Sequence, residues 1–174
     1  SEPIYPGTCA DRKVADASTL DKPYSWRFRT EDEGDFVVWK SAGTPAYQLA
    51  VVVDDADMGI TEAVRGDDLI PSTPRQLALY RALNLTPPTF LHVPLVVGPD
   101  GRRLAKRHGD TRLSMLREQG VTAEALLGLL AWSCGWLDSI QPVCAEELLS
   151  VFQLESIPKE AFILEEDAIG KLMG

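Results

Sequence analysis

Apolar residues along this chain gather in short runs separated by Pro, Gly and charge, and the composition of each run predicts an element. Asp35–Lys40 (DFVVWK) is short and rich in strand-forming residues. Beyond the Gly43-Thr44-Pro45 breaker, Tyr47–Asp54 (YQLAVVVD) is continuously apolar and β-branched up to its terminal acids. Such a run predicts a strand buried on both faces, as in a parallel sheet covered by helices. Ile60–Val64 is a second short strand by composition. Ser72-Thr73-Pro74 predicts a helix start, with Thr73 capping the orphan amides and Pro74 at the first helical position, where no N–H is needed. The helix is expected through Arg75–Leu83, offering Leu77, Leu79, Tyr80 and Leu83 for packing, and Pro87-Pro88 stops it. Phe90–Val97 (FLHVPLVV) is again β-type, although Pro94 disfavours a central strand. Strand, helix and strand in this order suggest a βαβ unit.

The pattern then becomes helical. Thr111–Gln119 and Thr122–Leu137 read as helices separated by Gly120, which suits a left-handed position just past a helix end. Cys144–Phe152 and Glu165–Met173 add two more, and Trp132 and Trp136, spaced i, i+4, are expected in the core. Residues 1–34 carry scattered charges, Pro and Gly, and read as loops with one short helix near Asp11–Leu20. The expected architecture is α/β: a leader over 1–44, half of a sheet domain over 45–100, and a helical domain over 101–174 joined by a basic loop.

Composition narrows the function classes. At 174 residues, with 45% hydrophobic and 25% charged residues, the chain has the balance of a soluble globular protein. No apolar run approaches the roughly 18–20 residues that span a bilayer, so no membrane association is expected. The longest, Ala125–Leu137, carries Ser133, Cys134 and two tryptophans and reads as a core helix. A net charge of −9, from 26 acids against 17 bases, argues against nonspecific nucleic-acid binding but leaves a local basic strip at Arg102–Arg107. Three cysteines without framework spacing favour a reduced, cytoplasmic compartment. The chain opens on Ser1 without a basic or apolar targeting segment, and the expectation is that it begins inside a longer protein.

Candidate chemistry lies in two places. Gly101–Gly109 (GRRLAKRHG) falls between a strand and a helix, where loops of α/β sheets border the ligand crevice. Lys106 and Arg107 can meet a polyphosphate there as point charges, and a solvated basic turn is the alternative. Upstream, YQLAVVVDDADMGITEAVRGDD (47–68) is followed by LIPSTPRQLALYRALN (69–84). This ordered succession resembles the second half of the catalytic domain of glutamyl-tRNA synthetases and their shorter paralogues, the glutamyl-queuosine tRNA(Asp) synthetases. The resemblance runs from about residue 2 to about residue 135.

The resemblance implies a class I, Rossmann-like catalytic half followed by a small helical domain that contacts the tRNA stem. It implies that Tyr47 and Arg65 hold the glutamate substrate, the guanidinium gripping a carboxylate and the phenol donating a directed hydrogen bond. Without it, the favoured readings are a core strand aromatic for Tyr47 and a surface ion pair with Asp67 or Asp68 for Arg65. Arg103-Leu-Ala-Lys-Arg107 aligns with the KMSKS-type loop, Lys106 matching the lysine that contacts the ATP phosphates. Arg103 and Ala105 depart from that pattern. Tyr5-Pro-Gly-Thr-Cys9 resembles the second half of the family's zinc knuckle, whose Cys-x-Cys pair is not in this chain, so a Zn²⁺ site here is expected to be incomplete. Cys134 and Cys144 read as small core residues, His92 as a structural histidine, and His108 as either a phosphate neighbour or an exposed residue. Glu146-Glu147 and Glu165-Glu166-Asp167 read as solvated faces.

The implied reaction activates glutamate with ATP and Mg²⁺ as glutamyl-adenylate and transfers it to a tRNA nucleoside. Glu62 stands where full synthetases usually have His and the queuosine enzyme has Glu, and the chain stops soon after the signature loop; both favour queuosine of tRNA(Asp). The Lys-Arg-His-Gly-Asp-Thr string looks more like a full synthetase charging tRNA(Glu). The family's HIGH-type motif lies upstream, so the missing N-terminal half is an expected partner. A degenerate, noncatalytic tRNA- or protein-binding module is a third reading, favoured by Arg103 and Ala105.

Overall fold

The computed structural model describes residues 5–13, 17, 19–30, 34–104, 113–165, 168 and 170. The chain divides into two compact units, Ser1–Arg65 with Leu69–Leu91, and Gly66–Asp68 with His92–Gly174. Together they give the mixed α/β composition expected of a class I synthetase catalytic half followed by helices.

In the first unit, β1 (Trp26–Phe28) pairs antiparallel with β2 (Phe36–Trp39), Phe28 opposite Phe36, with an irregularity between Trp26 and Arg27. Then come α1 (Tyr47–Asp57), β3 (Glu62–Gly66), α2 (Thr73–Ala82) and β4 (Thr89–Val93), with β3 beside β4 in a two-stranded sheet. Phe36, Val52, Leu79 and Tyr80 form the buried core, lined by Phe28, Val38, Val51, Ala56, Leu85 and Phe90.

Two expectations are corrected here. Residues 47–54 are helix, not strand. A continuous apolar run carries no alternation, so periodicity alone does not separate a buried strand from a buried helix. In the helix Val51, Val52 and Ala56 meet the core while Val53 stays 43% exposed, and that burial outweighs the helix penalty of three valines, a fraction of a kcal/mol each. The strand–helix–strand unit is therefore β3–α2–β4. Thr73 is not the cap of α2 either. Ser72 occupies the cap position without a side-chain cap bond, Pro74 sits in the first turn as expected, and the Thr73 hydroxyl is committed elsewhere.

Pro94 divides the Phe90–Val97 run into β4 and β5 (Val96–Val97). β5 pairs in parallel with β6 (Phe162–Ile163), a strand too short to declare itself in the sequence. The second unit packs α3 (Leu113–Glu118) and α4 (Ala123–Ser133) through buried Leu116, Val121, Ala125 and Leu129, joined by Leu126, Ile140, Phe162 and Leu164. Thr122 caps α4 by accepting the Ala125 N–H at 3.1 Å. Gly120 is left-handed as predicted, at φ +86°.

Helix α4 stops earlier than its apolar pattern suggests, because Gly135 also turns left-handed, at φ +73°, and the Trp136 N–H closes the end on the Ala131 carbonyl. Trp136 thus leaves the helix, stacks near Phe152 and donates its indole N–H to the Gln153 carbonyl and the Ser156 hydroxyl. Trp132 is part-exposed, edge-on to Phe162. The helix expected over 144–152 is the single turn α5 (Ala145–Leu148). Its cap is Cys144, whose backbone N–H donates to the Glu147 carboxylate, so Cys144 is a capping residue rather than core. The helix expected over 165–173 lies largely outside the described residues. Among the described residues no helix is long and apolar enough to cross a membrane.

Candidate active site

Strand β3 alternates in exposure: Glu62 and Val64 face out, Ala63 and Arg65 in. Period-2 geometry therefore carries Arg65 inward. One guanidinium nitrogen donates to Gln76 Oε1 at 2.6 Å and another to Thr73 Oγ1 at 2.7 Å, while the group's carbon lies 4.3 Å from the Phe90 ring centroid. Gln76 is only 1% exposed. Its Nε2 donates to Gln48 Oε1 at 2.9 Å, and Gln48 Nε2 donates to Ser72 Oγ at 3.0 Å. The direction of this relay is forced, because a guanidinium only donates: the Gln76 carbonyl must face Arg65, which turns its NH₂ onto Gln48.

The relay ties the end of β3 to the first turns of α1 and α2. Tyr47 opens α1, one residue before Gln48, and is 51% exposed. The relay joins Arg65 to Gln76, Gln48 and Ser72, and Tyr47 adjoins it only as the chain neighbour of Gln48. Below it, the Tyr80 hydroxyl is buried without a hydrogen-bond partner. Burial pushes the phenol's pKa up, the Asp55 carboxylate adds to this, and Arg65 opposes it.

The basic segment begins on a hairpin. Gly98 and Arg102 share a backbone hydrogen bond, Val97 bridges Arg103, and Asp100 Oδ1 accepts the Arg102 N–H. Arg103 pairs with Asp68 at 3.2 Å, with side chains 77% and 34% exposed. Lys106, Arg107 and His108 lie outside the described residues. His92 sits in β4, half-buried and engaged by a partner.

At the partial zinc knuckle, the Cys9 N–H donates to the Tyr5 hydroxyl at 2.6 Å, and the Arg27 guanidinium lies 4.1 Å from the Tyr5 ring centroid. Cys9 is an exposed free thiol. Among the described residues no group of three or more His, Cys, Asp or Glu is placed to hold a metal ion. Two donors beside an arginine do not fit a tetrahedral zinc, which needs four.

Comparison with known proteins decides the family. The family of tRNA synthetases class I (E and Q), catalytic domain, matches residues 18–169. The chain belongs to this family. It is similar to the Glutamyl-Q tRNA(Asp) synthetase of Symbiobacterium thermophilum, with 44% identity covering 99% of this chain and 60% of the relative. It is 47% identical to Glutamate–tRNA ligase 1 of Alkalilimnicola ehrlichii over 77% of this chain and 28% of that protein. Among solved structures, the glutamate-tRNA synthetase of Elizabethkingia anophelis superposes with a TM-score of 0.62 at 26% identity, covering 86% of this chain and 37% of that one. This class I chain spans about 60% or less of the length of these relatives.

Gln48 and Gln76, which the sequence reading passed over, and Ser72 and Thr73, which it placed at a helix start, form the hydrogen-bonded surroundings of Arg65. Gln76 carries a legible signal: it shares one face of α2 with Leu79 and Tyr80, at i+3 and i+4, so a polar side chain stands at a core position. Thr73 and Ser72 give no such signal, because their hydroxyls are as well suited to capping.

Proposed function

We propose that this chain supplies the glutamate grip and the ATP-phosphate loop of an enzyme that activates glutamate and transfers it to queuosine of tRNA(Asp). Arg65, fixed at a strand end by Gln76, Thr73 and Phe90, is the observation that carries the reading. A guanidinium so held presents a preorganised partner for a substrate carboxylate, and Tyr47 stands in the same neighbourhood to donate a hydrogen bond. The α-carboxylate oxygen of glutamate attacks the α-phosphorus of ATP, the bond to the β-phosphate oxygen breaks, and pyrophosphate leaves. A hydroxyl of the queuosine nucleoside then attacks the mixed anhydride carbonyl, loses its proton and expels AMP. No protein nucleophile is required; positioning and charge stabilisation suffice. Lys106, by its place in the signature loop, offers its ammonium to the phosphates during the first step. Mg²⁺ bound with ATP would supply further charge neutralisation.

The outward-facing Glu62 and the 44% identity to a Glutamyl-Q tRNA(Asp) synthetase over nearly the whole chain support the queuosine acceptor. The Lys106-Arg107-His108 string and the 47% identity to a glutamate–tRNA ligase favour tRNA(Glu) as a second reading. The 174-residue chain alone is expected to catalyse no glutamate-dependent ATP–pyrophosphate exchange. Mixed with the family's HIGH-motif half, it is expected to exchange and to transfer labelled glutamate to queuosine-bearing tRNA(Asp) but not to tRNA(Glu). Robust exchange by the chain alone overturns the half-site reading. Transfer to tRNA(Glu) selects the second reading, and failure of the mixture to bind a glutamyl-adenylate analogue selects a noncatalytic module.

A further inference from the structure

The basic segment starts with its backbone fixed and its arginine side chain in water. The Arg102 N–H is held by Asp100 Oδ1 at 2.9 Å and Val97 bridges Arg103, so the main chain here belongs to the hairpin. The Arg103 side chain is 77% exposed and donates through Nη1 to Asp68 Oδ2 at 3.2 Å. Asp68, Leu95 and Arg103 belong to the same unit. The carboxylate is set in place locally. A Cβ added at Gly66 would lie 2.6 Å from Asp68 Oδ1 and 2.8 Å from Leu95 Cδ2, so the glycine leaves the space in which that carboxylate rests. An ion pair between groups this exposed contributes little to the fold. It also joins one nitrogen to one oxygen, whereas a guanidinium can grip two oxygens of one anion at once. A phosphate presents two such oxygens with more charge, and its entry costs only a weak, solvated contact.

Building on the reading of the basic segment as the ATP-phosphate loop, we infer that Asp68 is a competing counter-ion for Arg103. It occupies the guanidinium until a polyphosphate displaces it, and so sets how tightly phosphate is held at the hairpin. A residue of opposite charge, in the turn Asp67–Ser72 after β3, thus works against binding. The exchange balances: the arginine passes from one anion to another, and the carboxylate, 34% exposed already, is left to water. A carboxylate fully buried with Arg103 could not be released in this way, because an uncompensated charge would remain inside. Partial exposure is what makes the contact reversible. Asp68→Asn keeps the shape and an acceptor oxygen while removing the charge, so it takes the competition away and leaves the turn as it is.

The test is a double-mutant cycle on the 174-residue chain, with inorganic tripolyphosphate as the probe and titration calorimetry at low ionic strength as the readout. Asp68→Asn is expected to tighten tripolyphosphate about two- to fivefold, the range that an exposed ion pair can contribute. Arg103→Gln is expected to weaken it about threefold or more, since a charge-assisted contact is lost. Asp68→Asn made in the Arg103→Gln background is expected to change nothing further, because the two residues act through each other. Asp67→Asn removes the same charge one position away and is expected to stay within about 1.5-fold of wild type. If Asp68→Asn binds like wild type, tightens equally without Arg103, or is matched by Asp67→Asn, the inference is overturned. The underlying reading fails on a separate result. Equal affinity of Arg103→Gln and wild type, or no measurable binding by wild type and Asp68→Asn alike, means that the hairpin does not serve phosphate. Weakening in Arg103→Gln without tightening in Asp68→Asn keeps the phosphate reading and rejects the competition alone.

Discussion

The two units treat polar groups in opposite ways. The first buries them: Gln76 sits at 1% exposure between Arg65 and Gln48, beside a core cluster of Phe36, Val52, Leu79 and Tyr80. Among the described residues the second buries hydrocarbon, with Leu116, Val121, Ala125 and Leu129, and leaves its charged contacts, Arg103–Asp68 and Cys144–Glu147, near water. A buried amide is costly unless both ends are bonded, and here both are, so the first unit commits stability to one arrangement of side chains. A cation on an exposed hairpin, such as Arg103, contributes charge without fixed geometry, which suits phosphate better than a carboxylate of defined orientation.

If the second unit depends on close hydrocarbon and backbone packing, its weakest point is a place with no room. Gly128 is buried on α4, and a Cβ added there would lie 1.9 Å from the Gln141 carbonyl oxygen. The obstacle is backbone, so it does not swing aside as a side-chain tip would. Gly128→Ala is expected to cost about 3 kcal/mol or more, read as a lower denaturation midpoint. A change below about 1 kcal/mol would mean that the segment after α4 yields easily, and the contrast between the units would weaken.

The comparison sharpens on a matched pair of arginines. Arg65→Leu leaves Gln76 Oε1 without its guanidinium donor in a part-buried setting, while the Thr73 hydroxyl keeps its bond to the Leu69 carbonyl, and is expected to cost about 1–3 kcal/mol of stability. Arg103→Leu removes one ion pair between largely solvated groups and is expected to stay within about 0.5 kcal/mol. Chemical denaturation of both variants, beside wild type, measures the difference. Equal losses would show that the relay is not the source of rigidity in the first unit.

How far these differences can be read from sequence depends on the kind of interaction. The succession of motifs from Tyr47 to Arg103 reveals the family, and with it the class I α/β architecture, although Tyr47–Asp54 taken alone reads as the wrong element. That error is physical: Val51-Val52-Val53 is strand-like in isolation, and the α1 core contacts that override it come from Phe28, Phe36 and Leu79, distant in sequence. Turns set by local geometry, at Gly120 and Pro94, are legible because their cause is local. A substrate role for Arg65 and Tyr47 is suggested by the resemblance alone, since each residue by itself reads as structural. The relay that positions Arg65 joins residues 48, 65, 72, 73 and 76, and nothing at any single position except the core-facing Gln76 announces it. Cys144 is the converse case, a residue assigned to the core by its type that the backbone uses as a cap.

That cap gives the smallest effect and a direct check on the solvated character of the second unit's charges. The Cys144 N–H, and then its thiol, hold the Glu147 carboxyl below the usual carboxylate range, with burial opposing slightly. A carboxyl whose pKa is lower folded than unfolded stabilises the fold at pH above its unfolded value, and that contribution disappears as pH falls through the folded value. The reverse effect falls on the thiol. The Glu147 backbone N–H pulls the Cys144 pKa down, but the Glu147 carboxylate, burial and the Glu146 carboxylate together hold it above its ordinary value. Glu147→Gln keeps an acceptor for the Cys144 N–H while removing the charge. It is expected to abolish the acid-range loosening of α5, followed by NMR of the helix turn between pH 3 and 6 (roughly the range in which a carboxyl titrates). It is also expected to speed alkylation of Cys144 at neutral pH, because the thiolate is the reactive form. Unchanged alkylation would mean that solvent already screens Glu147 from the sulfur. The second unit's periphery would then contribute even less than its exposed ion pair, and the contrast with the bonded interior around Arg65 would be larger than the static contacts suggest.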